Sequence, residues 1–159
     1  MEVGALARMT LSGNYSRGIS VMDRIVAKAY EAEKVCNILS ELLARLKIGK
    51  ADQKVWQVPE TGKGMELIEA ERGALGHWLT IENKKLKNYT ILPPSTWNMS
   101  PTDQQGVKGT VEQALIGTEI NNIKEPVEVG RIVRSFDPCL NCAAHIISDR
   151  YKPLTIEII

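Results

Sequence analysis

Two thiols and an imidazole near the carboxyl end carry the strongest chemical signal in this chain. In RSFDPCLNCAAH, Cys139, Cys142 and His145 each lie three residues from the next. Residues three apart on a helix or tight turn share a face, so the three donors could converge. Thiolates suit a soft or borderline metal, and neutral imidazole suits zinc, copper, iron or nickel. Asp137, just before the pair, could orient ligands through a hydrogen bond. Other chemistries compete. A structural zinc site usually takes four ligands, and the chain has neither a second C-x-x-C nor an H-x-x-x-H. Attachment of a c-type haem needs C-x-x-C-H, and here Ala143 and Ala144 intervene. A thioredoxin-like dithiol follows a strand, whereas Glu128–Phe136 has a helical pattern. Spacing alone therefore leaves metal ligation, a redox dithiol and structural thiols open. Cys36, inside a helical stretch beside apolar residues, reads as a buried, inert thiol. His77, between Gly76 and Trp78, reads as a hydrogen-bonded structural imidazole.

These groups need a scaffold, and 159 residues suffice for one domain with a core. The formal charge of +1, with Lys and Arg scattered among Asp and Glu, gives no electrostatic case for a nucleic acid or an anionic membrane. Three cysteines, two of them a close pair, do not make a disulfide framework. The amino terminus shows no basic region followed by an apolar run. No stretch approaches the roughly 18–20 apolar residues of a membrane span. The expectation is a protein that is cytoplasmic as synthesised.

The clearest element is a helix over Ser20–Lys47. Met22, Ile25, Ala29, Ala32, Val35, Ile38, Leu39, Leu42, Leu43 and Leu46 form one stripe at spacings of three and four. Ser20 and Asp23 make a capping box, and Gly49 offers a left-handed stop. The chain has few long partners to cover this stripe, so part of it is expected to face other polypeptide. His77–Glu82 and Leu86–Leu92 read as a β-hairpin turned at Asn83–Lys85, stopped by Pro93 and Pro94. PPSTWNMSP reads as an irregular loop. Thr110–Gly117 reads as a short helix, and Pro126 opens another that reaches about Phe136. Asp137 and Pro138 close it, and the cysteine segment is expected to begin a further helical turn. The expected architecture is mainly α with a small β-hairpin, the site being carried on long irregular loops.

Several separated stretches resemble one family. DPCLNCAAH resembles the carboxyl-terminal metal-binding motif D-P-C-x-x-C-x-x-H of nickel–iron hydrogenase large subunits. MEVGALARM, EAERGALGHW, NYTILPPSTWNMSPTD, ALIGTEI and RSFDPCLNCAAH resemble further family motifs, in order, from Met1 to His145. The resemblance implies the carboxyl-terminal part of that large-subunit fold, occupying residues 1–145. It implies reversible heterolytic cleavage of H2 to protons and electrons at a nickel–iron centre whose iron carries CN and CO. Cys139 would be a terminal nickel ligand and Cys142 would bridge nickel and iron. Arg72 would lie over the open face of the metals, paired with Asp137. Ser95, with the backbone around Pro94, would hydrogen-bond a cyanide. His145 and the carbonyl of Ile91 would hold Mg2+. A fixed guanidinium stabilises anionic diatomic ligands through charge-assisted hydrogen bonds, and Cys139 or Arg72 would supply the base for heterolysis. A small subunit with iron–sulfur clusters would carry the electrons away.

Three features set this chain apart from the family pattern. The R-x-C-x-x-C motif that supplies two further nickel thiolates is absent, so the missing amino-terminal part of the large subunit is an expected partner and the chain alone is expected to be inactive. Ala5 and Glu71 stand where the family has Pro, and the Glu71 carboxylate can draw Arg72 into a local ion pair. Residues 146–159, IISDRYKPLTIEII, resemble the carboxyl-terminal extension that a maturation endopeptidase removes after the motif histidine. The mature complex would then be membrane-associated or periplasmic. Two other readings stand beside the enzyme. One is a non-catalytic fragment that binds metal or serves as a substrate of maturation proteins. The other is the related subunit of respiratory NADH dehydrogenase complexes, which Cys139 and Cys142 argue against.

Overall fold

The computed structural model describes residues 2–49, 54–139, 143–146, 152 and 154–157. Helix α1 (Ala5–Leu11) is followed by the long α2 (Val21–Arg45). Three strands come next, β1 (Thr61–Ala70), β2 (Gly73–Glu82) and β3 (Lys85–Leu92), then three short helices, α3 (Pro94–Met99), α4 (Thr110–Leu115) and α5 (Val127–Ser135). Strands β4 (Ala143–Ile146) and β5 (Leu154–Glu157) end the described chain. Among the described residues no helix is long and apolar enough to cross a membrane.

Helix α2 begins where its cap dictates. The Ser20 hydroxyl accepts from the Asp23 amide, and the Asp23 carboxylate accepts from the Ser20 amide, closing the box. The Asp23 carboxylate also accepts from the hydroxyls of Ser20 and Tyr15. Those bonds, the Ser20 hydroxyl first, hold its pKa below the ordinary carboxylate range. The helix does not reach Gly49. It ends at Arg45, with Leu46 extended at φ −65° and ψ 125°, so no left-handed glycine is needed.

The buried face of α2 is not the leucine stripe. Arg24 and Ala27 are its buried residues, and Ala27 packs with Leu6, Met9 and Tyr15 in a small core between α1 and α2. Ile25, Leu39, Leu42, Leu43 and Leu46 are all more than half exposed. Cys36 shares that side of the molecule and is exposed too, which corrects the expectation of a buried thiol. The carboxyl-terminal half of the helix has no neighbour among the described elements to cover it. A second core joins Val111, Ile132, Val133 and Phe136 between α4 and α5.

The hairpin β2–β3 forms as its pattern dictates, with Asn83 and Lys84 as the two turn residues at φ 52° and 59°, the left-handed pair of a type I′ turn. A third strand joins it. Strand β1 pairs antiparallel with β2 from Thr61↔Glu82 to Ala70↔Gly73, giving the sheet order β1-β2-β3. TGKGMELIEA lacks β-branched and aromatic residues apart from Thr61 and Ile68, so local propensity gave no strand signal. It is an exposed edge strand, ordered by its ladder to β2. PPSTWNMSP is likewise not irregular: Pro94 occupies the first turn of α3, where its missing N–H costs nothing.

The amino-terminal segment ties these parts together. Asn98 on α3 is almost fully buried. Its side-chain carbonyl accepts from the Val3 amide at 3.0 Å and its amide donates to the Val3 carbonyl at 3.0 Å. Gly4 (φ 115°) and Gly73 (φ 132°) let the two backbones approach: a Cβ on Gly4 would sit 3.0 Å from the Arg72 carbonyl oxygen, and one on Gly73 would sit 2.8 Å from the Gly4 nitrogen. Replacing Asn98 by Leu keeps the volume but strands two buried backbone groups of Val3, each costing about 1–3 kcal/mol. Urea unfolding should show Asn98→Leu less stable by about 2–4 kcal/mol; an unchanged midpoint would remove this tie from the account.

Candidate metal centre

Arg72 sits at the tip of the β1–β2 hairpin. Ala70 pairs with Gly73, so Glu71 and Arg72 are the two turn residues. The Arg72 guanidinium reaches the Glu71 carboxylate at 3.4 Å, the local ion pair expected from a carboxylate in that place. Its Nε is buried and has no hydrogen-bond acceptor. A buried guanidinium N–H without a partner is costly.

The end of α5 places the cysteine segment. Phe136 closes the helix, and Asp137 adopts φ 59° while its amide donates to the Arg134 carbonyl at 3.0 Å. A left-handed residue followed by proline is a strong helix stop, and it turns the chain sharply toward Cys139. The Cys139 thiol is exposed, and its Sγ lies 3.3 Å from the Ser95 hydroxyl on α3. Two segments 44 residues apart thus meet at the atoms singled out by residue type.

Arg72 and Asp137 line one cleft of about 290 Å³, together with Glu2, Arg24, Lys28 and Phe136. They do not form the ion pair implied by the resemblance. The Asp137 carboxylate lies 3.6 Å from the Lys28 ammonium instead, because α2 presents Lys28 at the mouth of the cleft while Glu71 holds Arg72. Both carboxylate contacts are substantially exposed, which limits what each adds to stability.

The remaining expected site residues fall as follows. Pro94 is the first residue of α3, beside Ser95. Ile91 lies in β3 opposite His77, with a half-exposed side chain. His77 bonds Tyr89 through Nδ1 at 2.5 Å, the structural role expected of it. Cys142 lies outside the described residues. His145 is in β4, opposite Thr155 of β5. Ala143–Ile146 is a strand, and the helical turn expected to begin at the cysteines lies largely outside the described residues. No group of three His, Cys, Asp or Glu positioned to hold a metal occurs among the described residues.

Sequence reasoning passed over the arginines that build the surroundings. Arg24 is buried, bonded through two nitrogens to Glu2 at 2.9 and 2.8 Å, and stacked 3.7 Å over the Phe136 ring. It anchors the residue three before Cys139. The available signal was a charged residue on the same helical face as the small Ala27. Arg8 lies within the quoted MEVGALARM, yet its spacing named no partner.

Comparison with known proteins decides the family. Residues 1–145 match the nickel-dependent hydrogenase family. This chain belongs to that family. It is 39% identical over 148 residues to the uptake hydrogenase large subunit of Rhodobacter capsulatus, covering 86% of this chain and 24% of that protein. It is 39% identical over 131 residues to the periplasmic [NiFeSe] hydrogenase large subunit of Desulfomicrobium baculatum, covering 82% and 26%. The reduced, active Ni-Fe-Se hydrogenase of the same bacterium superposes with a TM-score of 0.79 at 35% identity, over 87% of this chain and 33% of that one. The reduced Ni-Fe-Se hydrogenase of Desulfovibrio vulgaris Hildenborough superposes with a TM-score of 0.78 at 33% identity. The chain therefore spans about a quarter of the length of the relatives it matches. The mainly helical architecture with a small antiparallel sheet is that of a hydrogenase large subunit.

The residues present fit a nickel–iron centre in kind. A free, exposed thiol supplies a soft donor, a hydroxyl stands beside it, and a guanidinium with an unmet N–H lines the adjoining cleft.

Proposed function

We propose that this chain is the carboxyl-terminal part of the catalytic large subunit of a hydrogenase, and that it contributes half of a nickel–iron site for the reversible heterolytic cleavage of H2. One observation carries the reading: the Cys139 thiol and the Ser95 hydroxyl, from distant segments, lie 3.3 Å apart. Family membership and the open donor on Arg72 support it.

In this reading Cys139, Cys142 and, for Mg2+, His145 with the Ile91 carbonyl would be the ligands on this chain. The centre, when bound, would supply Lewis acidity that polarises dihydrogen. The exposed Cys139 thiolate would be the base on this chain that takes up the proton, at Sγ. Arginine's very high pKa makes Arg72 a poor base. Its Nε–H instead donates to an anionic ligand such as cyanide, and the Ser95 hydroxyl donates to a second one, Pro94 fixing the start of the helix that carries it. Asp137 pairs with Lys28 at 3.6 Å, which leaves Arg72 free of that carboxylate.

Two nickel thiolates and the remainder of the subunit would come from polypeptide absent from this sequence, and the uncovered leucines of α2 would pack against it. An iron–sulfur small subunit would take the electrons. The chain alone is then inactive, since half the ligand set is missing and the site stays wet. In the assembled enzyme Cys139→Ala should abolish hydrogen-dependent dye reduction and lower bound nickel. Arg72→Lys should slow turnover about a hundredfold with nickel retained, as loss of one preorganised donor does elsewhere. Near-normal rates in both would refute the assignment.

Residues 146–159 are proposed to be an extension cut off after His145 during maturation. Strand β5 pairs across that bond, with His145↔Thr155 and Ile146↔Leu154 on either side, so the hairpin must open before a peptidase can hold the segment extended. Intact-mass analysis of enzyme matured in its native host should show His145 as the last residue. An active enzyme that still ends at Ile159 would overturn this part.

A further inference from the structure

Two arginines meet at the β1–β2 turn, and their hydrogen bonding is opposite in kind. Arg72, in the turn, has an unpartnered Nε–H and one long contact. Arg8, on α1, uses all it has. Its Nε and Nη2 donate to the two Glu31 carboxylate oxygens at 2.6 and 2.7 Å. Its Nη1 donates to Glu69 at 2.7 Å and to the Ala70 carbonyl at 3.2 Å. Its Nη2 also donates to the Glu71 carbonyl at 2.9 Å. That engages all five N–H groups of a guanidinium. The two carboxylates, Glu31 first, raise the Arg8 pKa further, so it stays charged at any pH the protein meets.

We propose that Arg8 is a positioning residue for Arg72. Glu31, on α2, fixes the guanidinium plane through a bidentate pair, and the opposite edge of the plane grips the last residue of β1 and the first of the turn. On the other side, the amino-terminal backbone packs against Arg72 and Gly73 at the close contacts of Gly4. The tip of an edge hairpin, otherwise one of the softest places in a sheet, is thereby fixed to two helices. This inference rests on the role given to Arg72 above. A purely structural Arg8 would affect stability alone; a positioning Arg8 acts through Arg72 and adds nothing once Arg72 is disabled.

A double-mutant cycle in the assembled enzyme tests it. Lysine at position 8 keeps the charge but has three donors on a compact head and cannot span two carboxylates and two carbonyls at once. Arg8→Lys should lower turnover about tenfold with nickel content retained, since small misplacements of a positioning group are costly. In the Arg72→Lys background, Arg8→Lys should bring no further loss. The nickel paramagnetic signal should move in Arg8→Lys in the same direction as in Arg72→Lys, a readout independent of activity. Losses that multiply in the double variant, or an Arg8→Lys enzyme that is normal beside a slow Arg72→Lys, would overturn the inference alone. A normal Arg72→Lys enzyme would remove the role of Arg72 and this inference with it. If Arg8→Lys fails to assemble, Glu69→Gln, which loosens one exposed anchor, takes its place: a loss of rate seen only when Arg72 is intact supports the proposal, and no loss overturns it.

Discussion

The site depends on how one short segment is held. Residues 2–8 make polar contacts to α2, to α3 and to the β1–β2 turn. Glu2 holds Arg24, which stacks on Phe136 just before the cysteine segment. Val3 exchanges two hydrogen bonds with Asn98, three residues after Ser95. Arg8 grips the turn that presents Arg72. Met99 of the short helix packs against the core that holds Phe136 at the helix end. The hairpin tip joins this frame through its bonds to Arg8. Buried polar contacts of this kind give little net stability when made and are costly when broken, so they specify geometry more than they add stability.

That constraint explains why the buried face of α2 is polar and small. Arg24, Ala27, Lys28 and Glu31 lie along one side of the helix and serve the site, α1 and the turn. The leucines lie elsewhere and are exposed. A helix this long with its apolar stripe in water is unstable by itself. Under the proposed function the stripe would pack against other polypeptide, in keeping with a chain spanning about a quarter of the length of its relatives.

Much of the scaffold was legible in sequence because local physics decides it. The Ser20–Asp23 box, the Asn83–Lys84 turn, the helix after Pro126 and its stop at Asp137–Pro138 all follow from caps, turn residues and proline. Strand β1 was not legible, since TGKGMELIEA becomes a strand only by pairing with β2. Nor was the exposure of Cys36, since amphipathic spacing reports a stripe and says nothing of which polypeptide covers it. At the site, residue type and motif order named Arg72, Ser95 and Cys139. They did not name Arg8, Arg24 or Asn98, whose partners lie 22 to 112 residues away in pairings that no local period encodes. The Glu71–Arg72 pair is the informative exception: a single carboxylate beside an arginine foretold it.

The central claim is that Cys139 and Cys142 are half of a thiolate cradle for nickel and iron completed by other polypeptide. Anomalous diffraction from the assembled enzyme at the nickel, iron and zinc absorption edges tests this directly. The account predicts a nickel peak bonded to both sulfurs, an iron peak sharing the Cys142 sulfur, and two further thiolates on the nickel from the remainder of the subunit. A zinc peak at those sulfurs, or a bond between them, would contradict it.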